Sequence, residues 1–304
     1  MYNVPSQAGR RFIITGSNSG TGKEATRRLA AAGAHIVMAV RTPSKGEDAR
    51  REILAESPNA DLEVRQLDLA DLASVHAFAA SVLADRRPVD VLVNNAGVMA
   101  PPTRFTTTDG FELQLGSNFL GPFALTMLLL PRILESSKPR VATMTSGTAN
   151  FGRIDFNDLQ REHNYRPFTS YAQSKLADML FSERLAMVST ERGWGLLSTM
   201  AHPGYTRTNL QSSGANLGRD GAQKPPIQRT ILPSQDVTQG AEPLLFAAAD
   251  PAAEQGAYYG PGGTFGLVGP TKKTALPRSA RRAGVPAKLW ALAEQLTETS
   301  LPAA

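Results

Sequence analysis

Cysteine is absent from these 304 residues, which excludes a disulfide framework, a thiolate nucleophile and a thiolate-bound metal. Histidine is scarce. His35, His76, His163 and His202 share no ligand spacing with a carboxylate, so no metal site is expected. Neither sign of charge dominates: 32 basic side chains against 27 acidic ones leave a net charge of +5, and the bases cluster only at Arg278, Arg281 and Arg282. Aromatics make up 7% of the chain. A nucleic-acid surface needs a basic stripe interleaved with stacking rings, so no nucleic-acid partner is expected. Long apolar runs are also lacking. The most apolar stretch, Phe123 to Leu134, carries Thr126, Pro131 and Arg132 and is too short to span a bilayer; it reads as a buried helix. Met1 to Gln7 does not have the basic-then-apolar layout of a signal peptide. Together these absences predict a soluble protein, cytoplasmic in location, with no membrane span.

What is present is alternation. Short apolar runs at Arg11–Thr15, His35–Val40, Leu62–Leu67, Val89–Val93, Arg140–Thr145 and Gly195–Ala201 have strand length. Helix-like segments separate them at Lys23–Ala32, Gly46–Glu56 and Leu72–Arg86, and another helix carries Tyr171. A helix is also expected to begin at Asp109, which has capping-box spacing to Glu112. Strand–helix alternation of this kind predicts an α/β fold with a doubly wound, mostly parallel sheet. The pattern lapses over 205–233, a stretch rich in Gly, Ser, Pro, Asn and Thr that reads as an irregular substrate lid. It resumes with a helix over Val237–Ala249 and a short strand at Ala257–Tyr259, before a tail over 271–304 that includes a helix from Pro286 to Thr297. No repeat or linker divides the chain, so a single domain over 1–304 is expected.

Three groups of residues carry chemistry. After the first strand runs Gly16-Ser17-Asn18-Ser19-Gly20-Thr21-Gly22. Glycines there let backbone approach a pyrophosphate at a helix N-terminus, where free N–H groups and the dipole favour anions. The turn is not a nucleoside-triphosphate loop: Ser17 stands where that motif needs glycine, and Glu24 where it needs Ser or Thr. The dinucleotide spacing G-x-G-x-x-G is not met literally either. After the fourth strand come Asn94-Asn95-Ala96-Gly97. Tyr171 and Lys175 then stand four apart, on one face of a helix. A free phenol titrates near ~10. An ammonium about 4 Å away, at an effective dielectric of roughly 20, would lower that by about three units, so the pair predicts a general acid/base working near neutrality.

Thr15-Gly16-x-x-x-Gly20-x-Gly22, Asn94-Asn95-Ala96-Gly97 and Tyr171-x-x-x-Lys175, in this order over about residues 10–260, resemble the classical short-chain dehydrogenase/reductase family. Asn118-Phe119-Leu120-Gly121, Gly152 to Leu159 and Lys175-Leu176-Ala177-Asp178 are similar to its retinol-dehydrogenase-like branch. The resemblance implies a Rossmann-type fold. It also implies that Tyr171 is the proton carrier, that Lys175 tunes it and grips the nicotinamide ribose, and that Ser146 bonds the substrate oxygen. Asn118 would position a relay water. Asp68 and Leu69 would flank the adenine, and Asn95, Ala96 and Gly97 would line the ribose side. In His202-Pro203-Gly204-Tyr205-Thr206-Arg207-Thr208, Pro203 and Gly204 would face the nicotinamide, with Thr206 and Thr208 both candidates for a cofactor contact. Thr145 is the neighbouring hydroxyl, and Ser146 is preferred to it. The insert before Tyr171, with Phe151, Ile154, Phe156, Tyr165 and Phe168, either walls the substrate cleft or forms a surface loop with its own small core. Phe119 and Pro122 depart from the branch, where histidines are common, as does Thr21, where isoleucine is common.

An NAD site places a carboxylate about 20 residues beyond the glycine turn, on the ribose. Here the second strand ends in Arg41, with Lys45 nearby, and a guanidinium fork suits a 2′-phosphate. The expected cofactor is therefore NADP(H). The expected substrate is a hydrophobic ketone, aldehyde or secondary alcohol, with Val98 and Met99 in the cleft. Two rivals are weighed: an NADP-sensing protein without turnover, which would have lost one of Ser146, Tyr171 and Lys175, and a nucleotide-sugar epimerase-like enzyme, which would carry a literal G-x-x-G-x-x-G turn. The segments 109–135 and 171–190 are apolar enough for a homo-oligomer interface, and a buried core would give the same pattern.

Overall fold

The computed structural model describes residues 1–208, 210, 214, 216–218 and 232–302. Eight strands form one sheet: β1 (Arg11–Thr15), β2 (His35–Val40), β3 (Asp61–Gln66), β4 (Val91–Asn94), β5 (Arg140–Met144), β6 (Leu197–Ala201), β7 (Tyr258–Pro261) and β8 (Thr271–Thr274). Their spatial order is β3-β2-β1-β4-β5-β6-β7-β8, with every pairing parallel except the antiparallel β7–β8. The sheet is Rossmann-like, and its winding reverses between β1 and β4. In such sheets the crevice outside the strands' carboxyl ends at this switch point is where ligands sit.

Strands β1, β4 and β5 are buried at every position because helices cover both faces. Alternate residues feed two cores. Ile13, Val37, Leu92 and Val141 join one with Phe78, Phe123 and Leu180. Phe12, Ile14, Met38 and Val93 join the other with Leu29, Ile53 and Leu244. The connecting helices are α1 (Gly20–Ala31), α2 (Pro43–Glu56) and α3 (Leu72–Ala84), then α4 (Leu113–Leu115), which runs through a π turn (Gly116–Leu120) into α5 (Gly121–Leu134). Next come α6 (Pro167–Arg192), α7 (Val237–Gly240), α8 (Glu242–Ala249) and α9 (Val285–Thr297).

The structure departs from the sequence expectations in several places. Asp109 does not cap the helix after β4; its carboxylate accepts from the Leu72 N–H at the start of α3. Glu112 is the cap instead, accepting from Gln114 and Leu115 N–H at 3.0 and 2.8 Å. The helix expected over Val237–Ala249 breaks at Ala241, because Pro243 offers no N–H to the preceding turn. The polar strand Thr271–Thr274 was not expected at all. The apolar run is also longer than its sequence suggested: Leu113–Leu134 is 22 residues, long and apolar enough to cross a membrane by those criteria alone, but 89% of its most apolar window is buried inside the protein. It is a core helix. Its outer face meets α9, where Trp290 packs edge-on against Phe123 at 5.1 Å and stacks on Phe181 at 5.8 Å. Part of the apolar surface offered by 109–135 and 171–190 is thus covered within the chain. Most of the 205–233 lid lies outside the described residues, as do Ala303 and Ala304 of the tail.

Candidate active site

Six connections reach the switch point from the carboxyl ends of β1 to β6, and each carries residues singled out from the sequence. After β1 the chain turns through Gly16, at φ +67°, into α1, with Ser17, Asn18, Ser19, Gly20 and Thr21 forming the bend. The first turn of α1 holds no acidic residue, and the Ser19 hydroxyl makes no cap bond. Its N–H groups therefore keep the partial positive charge of an unmodified helix start. Gly22 must lack a side chain: a Cβ there would lie 2.4 Å from both Asn95 Nδ2 and the Gly16 carbonyl oxygen.

Thr15 and Asn95 lock this turn to the loop after β4. The Thr15 hydroxyl accepts from the Asn95 and Ala96 N–H groups, each at 3.0 Å. Asn95 Nδ2 donates to the Thr15 carbonyl at 2.9 Å, and its Oδ1 accepts from the Thr21 hydroxyl at 3.0 Å. The Asn95 side chain thus serves the scaffold, while the backbone of Asn95, Ala96 and Gly97 runs beside the crevice. Asp68 Oδ1 accepts from Ala70 N–H at 2.9 Å after β3, and Leu69 is buried against Gly121. Arg41, at the tip of β2, is exposed and has no hydrogen-bond or carboxylate partner among the described residues.

Ser146, Tyr171 and Lys175 converge. The Ser146 hydroxyl lies near enough to the Tyr171 phenol to favour its ionised form, and it accepts from the Thr148 N–H at 3.2 Å. Tyr171 is 4% exposed and Lys175 3%. The Lys175 ammonium donates to the Met144 carbonyl at 3.0 Å and to Asp178 Oδ2 at 2.8 Å. Thr145 turns the other way and donates to the Lys175 carbonyl at 2.6 Å, so of the two hydroxyls Ser146 faces the phenol. Asn118 sits in the π turn, a feature that commonly re-aims side chains at functional sites. Its Oδ1 accepts from Val98 N–H at 2.7 Å, while its Nδ2 donates to the Val98 carbonyl at 3.0 Å and to the Ser174 hydroxyl at 2.8 Å. It clamps the Gly97–Val98 backbone beside Lys175.

The electrostatics correct one expectation. Burial raises the Tyr171 pKa; the Lys175 charge and the Ser146 hydroxyl pull it down, and the Asp178 charge pushes it up. The net direction is upward, not toward neutrality. Helical spacing reveals the Lys175 charge but neither the burial of the pair nor the Asp178 countercharge. After β6, burial holds His202 neutral, with its pKa lowered to about 4. The two threonines there separate. Thr206 is buried and donates to the Pro203 carbonyl, packed against Gly240. Thr208 stands beside Gly20, with side-chain carbons 3.7 Å from where a Cβ would be. Pro203 and Gly204 form the turn before them, and Gly204, at φ +63°, has no room for a Cβ against the Leu267 carbonyl oxygen.

A model of the short chain dehydrogenase family matches residues 10–216. The chain belongs to that family. Human retinol dehydrogenase 13 is 36% identical over 307 aligned positions, covering 98% of this chain and 88% of the relative. Human retinol dehydrogenase 12 is 44% identical over 202 positions, which take in 66% of this chain and 63% of that protein's length. These relatives put this short-chain dehydrogenase in the retinol-dehydrogenase-like branch. A solved structure of an uncharacterized protein from Mycobacterium paratuberculosis is 41% identical and superposes with a TM-score of 0.81, over 99% of this chain and 98% of the other.

Several participants escaped the sequence reading. Gln114 Oε1 accepts from the Ala100 N–H at 2.8 Å, holding Ala100 at φ +49°, and Gln114 Nε2 donates to the Pro167 carbonyl at 3.1 Å. The Tyr165 hydroxyl donates to the Pro101 carbonyl at 2.9 Å. Gln173 ties the insert to α6, accepting from Asp155 N–H and Arg161 and donating to the Leu159 carbonyl at 2.9 Å. The insert has no separate small core: Ile154 and Leu159 join the main core, Phe151 and Phe168 are exposed, and Tyr165 braces the loop after β4. The one available sequence signal was Asp178, three residues beyond Lys175, a spacing that places both on one helix face.

Proposed function

We propose that this protein is an NADP(H)-dependent alcohol dehydrogenase and carbonyl reductase for a hydrophobic ketone, aldehyde or secondary alcohol, working in the cytoplasm. The observation that carries the reading is the convergence of Ser146, Tyr171 and Lys175 in a buried cluster, beside a glycine turn at the sheet's switch point.

The crevice fits a dinucleotide. Ser17 Oγ is fully buried in the glycine turn with no hydrogen-bond partner, a costly state for a hydroxyl unless a ligand satisfies it. The uncapped start of α1 suits a pyrophosphate, held by the backbone of Ser17 to Gly22 with Thr208 alongside. Arg41 would take the 2′-phosphate in place of the carboxylate an NAD site uses. Asp68 and Leu69 would border the adenine. Asn95, Ala96 and Gly97 would border the ribose on the Lys175 side, and Pro203 and Gly204 the nicotinamide. When bound, the nicotinamide supplies and accepts the hydride.

The chain's own residues do the rest. In reduction, Ser146 donates a hydrogen bond to the carbonyl oxygen as charge develops there, and Tyr171 delivers the proton that completes the hydroxyl. In oxidation Tyr171 takes that proton back. Lys175 stabilises the phenolate form of Tyr171 and offers a donor to the ribose, while Asn118 keeps Gly97 and Val98 in register beside it. Val98 and Met99 give the cleft an apolar lining.

A panel of apolar ketones and aldehydes, followed by cofactor absorbance, tests this. Oxidation of NADPH in preference to NADH, with the preference falling at least about tenfold in Arg41→Ala, is the expected result. A preference that Arg41→Ala leaves unchanged contradicts the cofactor assignment, and no oxidation across the panel contradicts the reaction.

A further inference from the structure

Asp178 is the one charged side chain in the cluster that the proposed reaction does not use. It is 1% exposed on α6, and its Oδ2 pairs with the Lys175 ammonium at 2.8 Å. Its Oδ1 is buried with no hydrogen-bond partner. A buried carboxylate half-satisfied in this way carries a desolvation cost that its pairing with Lys175 only partly offsets. The carboxylate therefore asks for a reason beyond packing.

The geometry around Lys175 supplies one. An ammonium has three donors, and two are taken, by Asp178 and by the Met144 carbonyl at 3.0 Å. A Cβ on Gly97 would lie 3.5 Å from the Lys175 nitrogen and 3.0 Å from Asn118 Oδ1, so the loop after β4 closes over the same group. We propose that Asp178 is a positioning residue: it anchors the Lys175 ammonium so that a single donor faces the reaction, and it presents Tyr171 with an ion pair in place of a lone cation. This rests on Tyr171 being the proton carrier.

The charges on Tyr171 support it. Lys175 favours the phenolate, Asp178 opposes it, and the Ser146 hydroxyl favours it. Lys175 in turn is disfavoured as a cation by burial, yet Asp178, through charge and hydrogen bond, together with Tyr171 leaves its pKa raised. The carboxyl of Asp178 is itself pushed up by burial, against Lys175. Elements packed on α6 bring little else that titrates. The π turn, the 3-10 turn Gly147–Phe151 and β6 contain no ionisable side chain. Arg140 stands at the far end of β5, bonded to the Ala247 and Asp250 carbonyls. His202, past β6, is held neutral. On α9, Lys288 lies over the Phe156 ring at 4.3 Å, and Glu294 is the helix's other charge.

The test is Asp178→Asn, read by ultraviolet difference titration of Tyr171 (each protein against the same background carrying Tyr171→Phe) and by the pH profile of alcohol oxidation. The phenol should titrate about one unit lower in Asp178→Asn, and the acidic limb of the profile should move with it, giving about tenfold more activity low on that limb. A titration and limb that stay in place or move to higher pH would overturn the proposal. Asp178→Ser removes the same charge with a smaller group and should move both readings in the same direction. Loss of the fold in both variants would also overturn it, because Asp178 would then be purely structural. The titration needs no substrate, so it decides the role of Asp178 even if the proposed reaction fails.

Discussion

The two sides of the crevice are built by different means. The side after β1 and β4 is made from backbone and small side chains: Gly16, Gly22 and Ala96 approach each other so closely that Thr15 and Asn95 can stitch the turn with bonds near 3 Å. The other side, made from segment 98–118 beyond the start of the β4 loop and from the insert after β5, relies on long side chains reaching between distant segments. Gln114 and Tyr165 hold Ala100 and Pro101, Asn118 holds Val98, and Gln173 holds the 155–161 insert. The first construction tolerates almost no added atom, whereas the second depends on hydrogen bonds that can be removed one at a time. A rigid cradle suits a ligand that is always the same, and an adjustable wall suits a substrate that differs between relatives.

Gly22→Ala attacks the first side and should have the larger effect. The new methyl meets the Gly16 carbonyl as well as Asn95, and backbone cannot yield as a side-chain tip does. Overpacking of this kind costs about 1–3 kcal/mol, so we expect a lower melting temperature and at least about tenfold weaker dinucleotide binding by titration. Binding at wild-type strength would show that the turn is not the cradle. Gln114→Ala attacks the second side. It frees the Ala100 N–H and the Pro167 carbonyl, each bond being worth about 1 kcal/mol. The KM for a carbonyl substrate should rise several-fold while dinucleotide affinity is kept. Equal losses of both would erase the distinction between the two sides.

The same contrast explains what the sequence could show. Motif residues at strand tips announce themselves because a parallel sheet brings the carboxyl ends of β1 to β6 to one edge, whatever the rest of the chain does. Tyr171 and Lys175 are legible from helical spacing alone. The side-chain wall was not, because Gln114 and Ala100 meet only through a loop, and Tyr165 and Pro101 lie 64 residues apart. Asp109 misled for a related reason: its local capping spacing was outcompeted by the Leu72 N–H of a distant helix. Strand β8 was hidden because Thr271-Lys272-Lys273-Thr274 pairs at a sheet edge, where no apolar face is needed. The direction of the Tyr171 shift was missed because one-dimensional spacing shows a cation and says nothing of burial.

The most direct test of the account is turnover by Tyr171→Phe, which removes one hydroxyl from a buried ring and leaves Lys175, Ser146 and the glycine turn in place. With NADPH and any carbonyl the wild type reduces, we predict a fall in kcat of about 10²–10⁴-fold, the usual contribution of a positioned proton donor, with dinucleotide binding unchanged. Turnover within a few-fold of wild type would contradict the assignment of Tyr171 as the proton carrier.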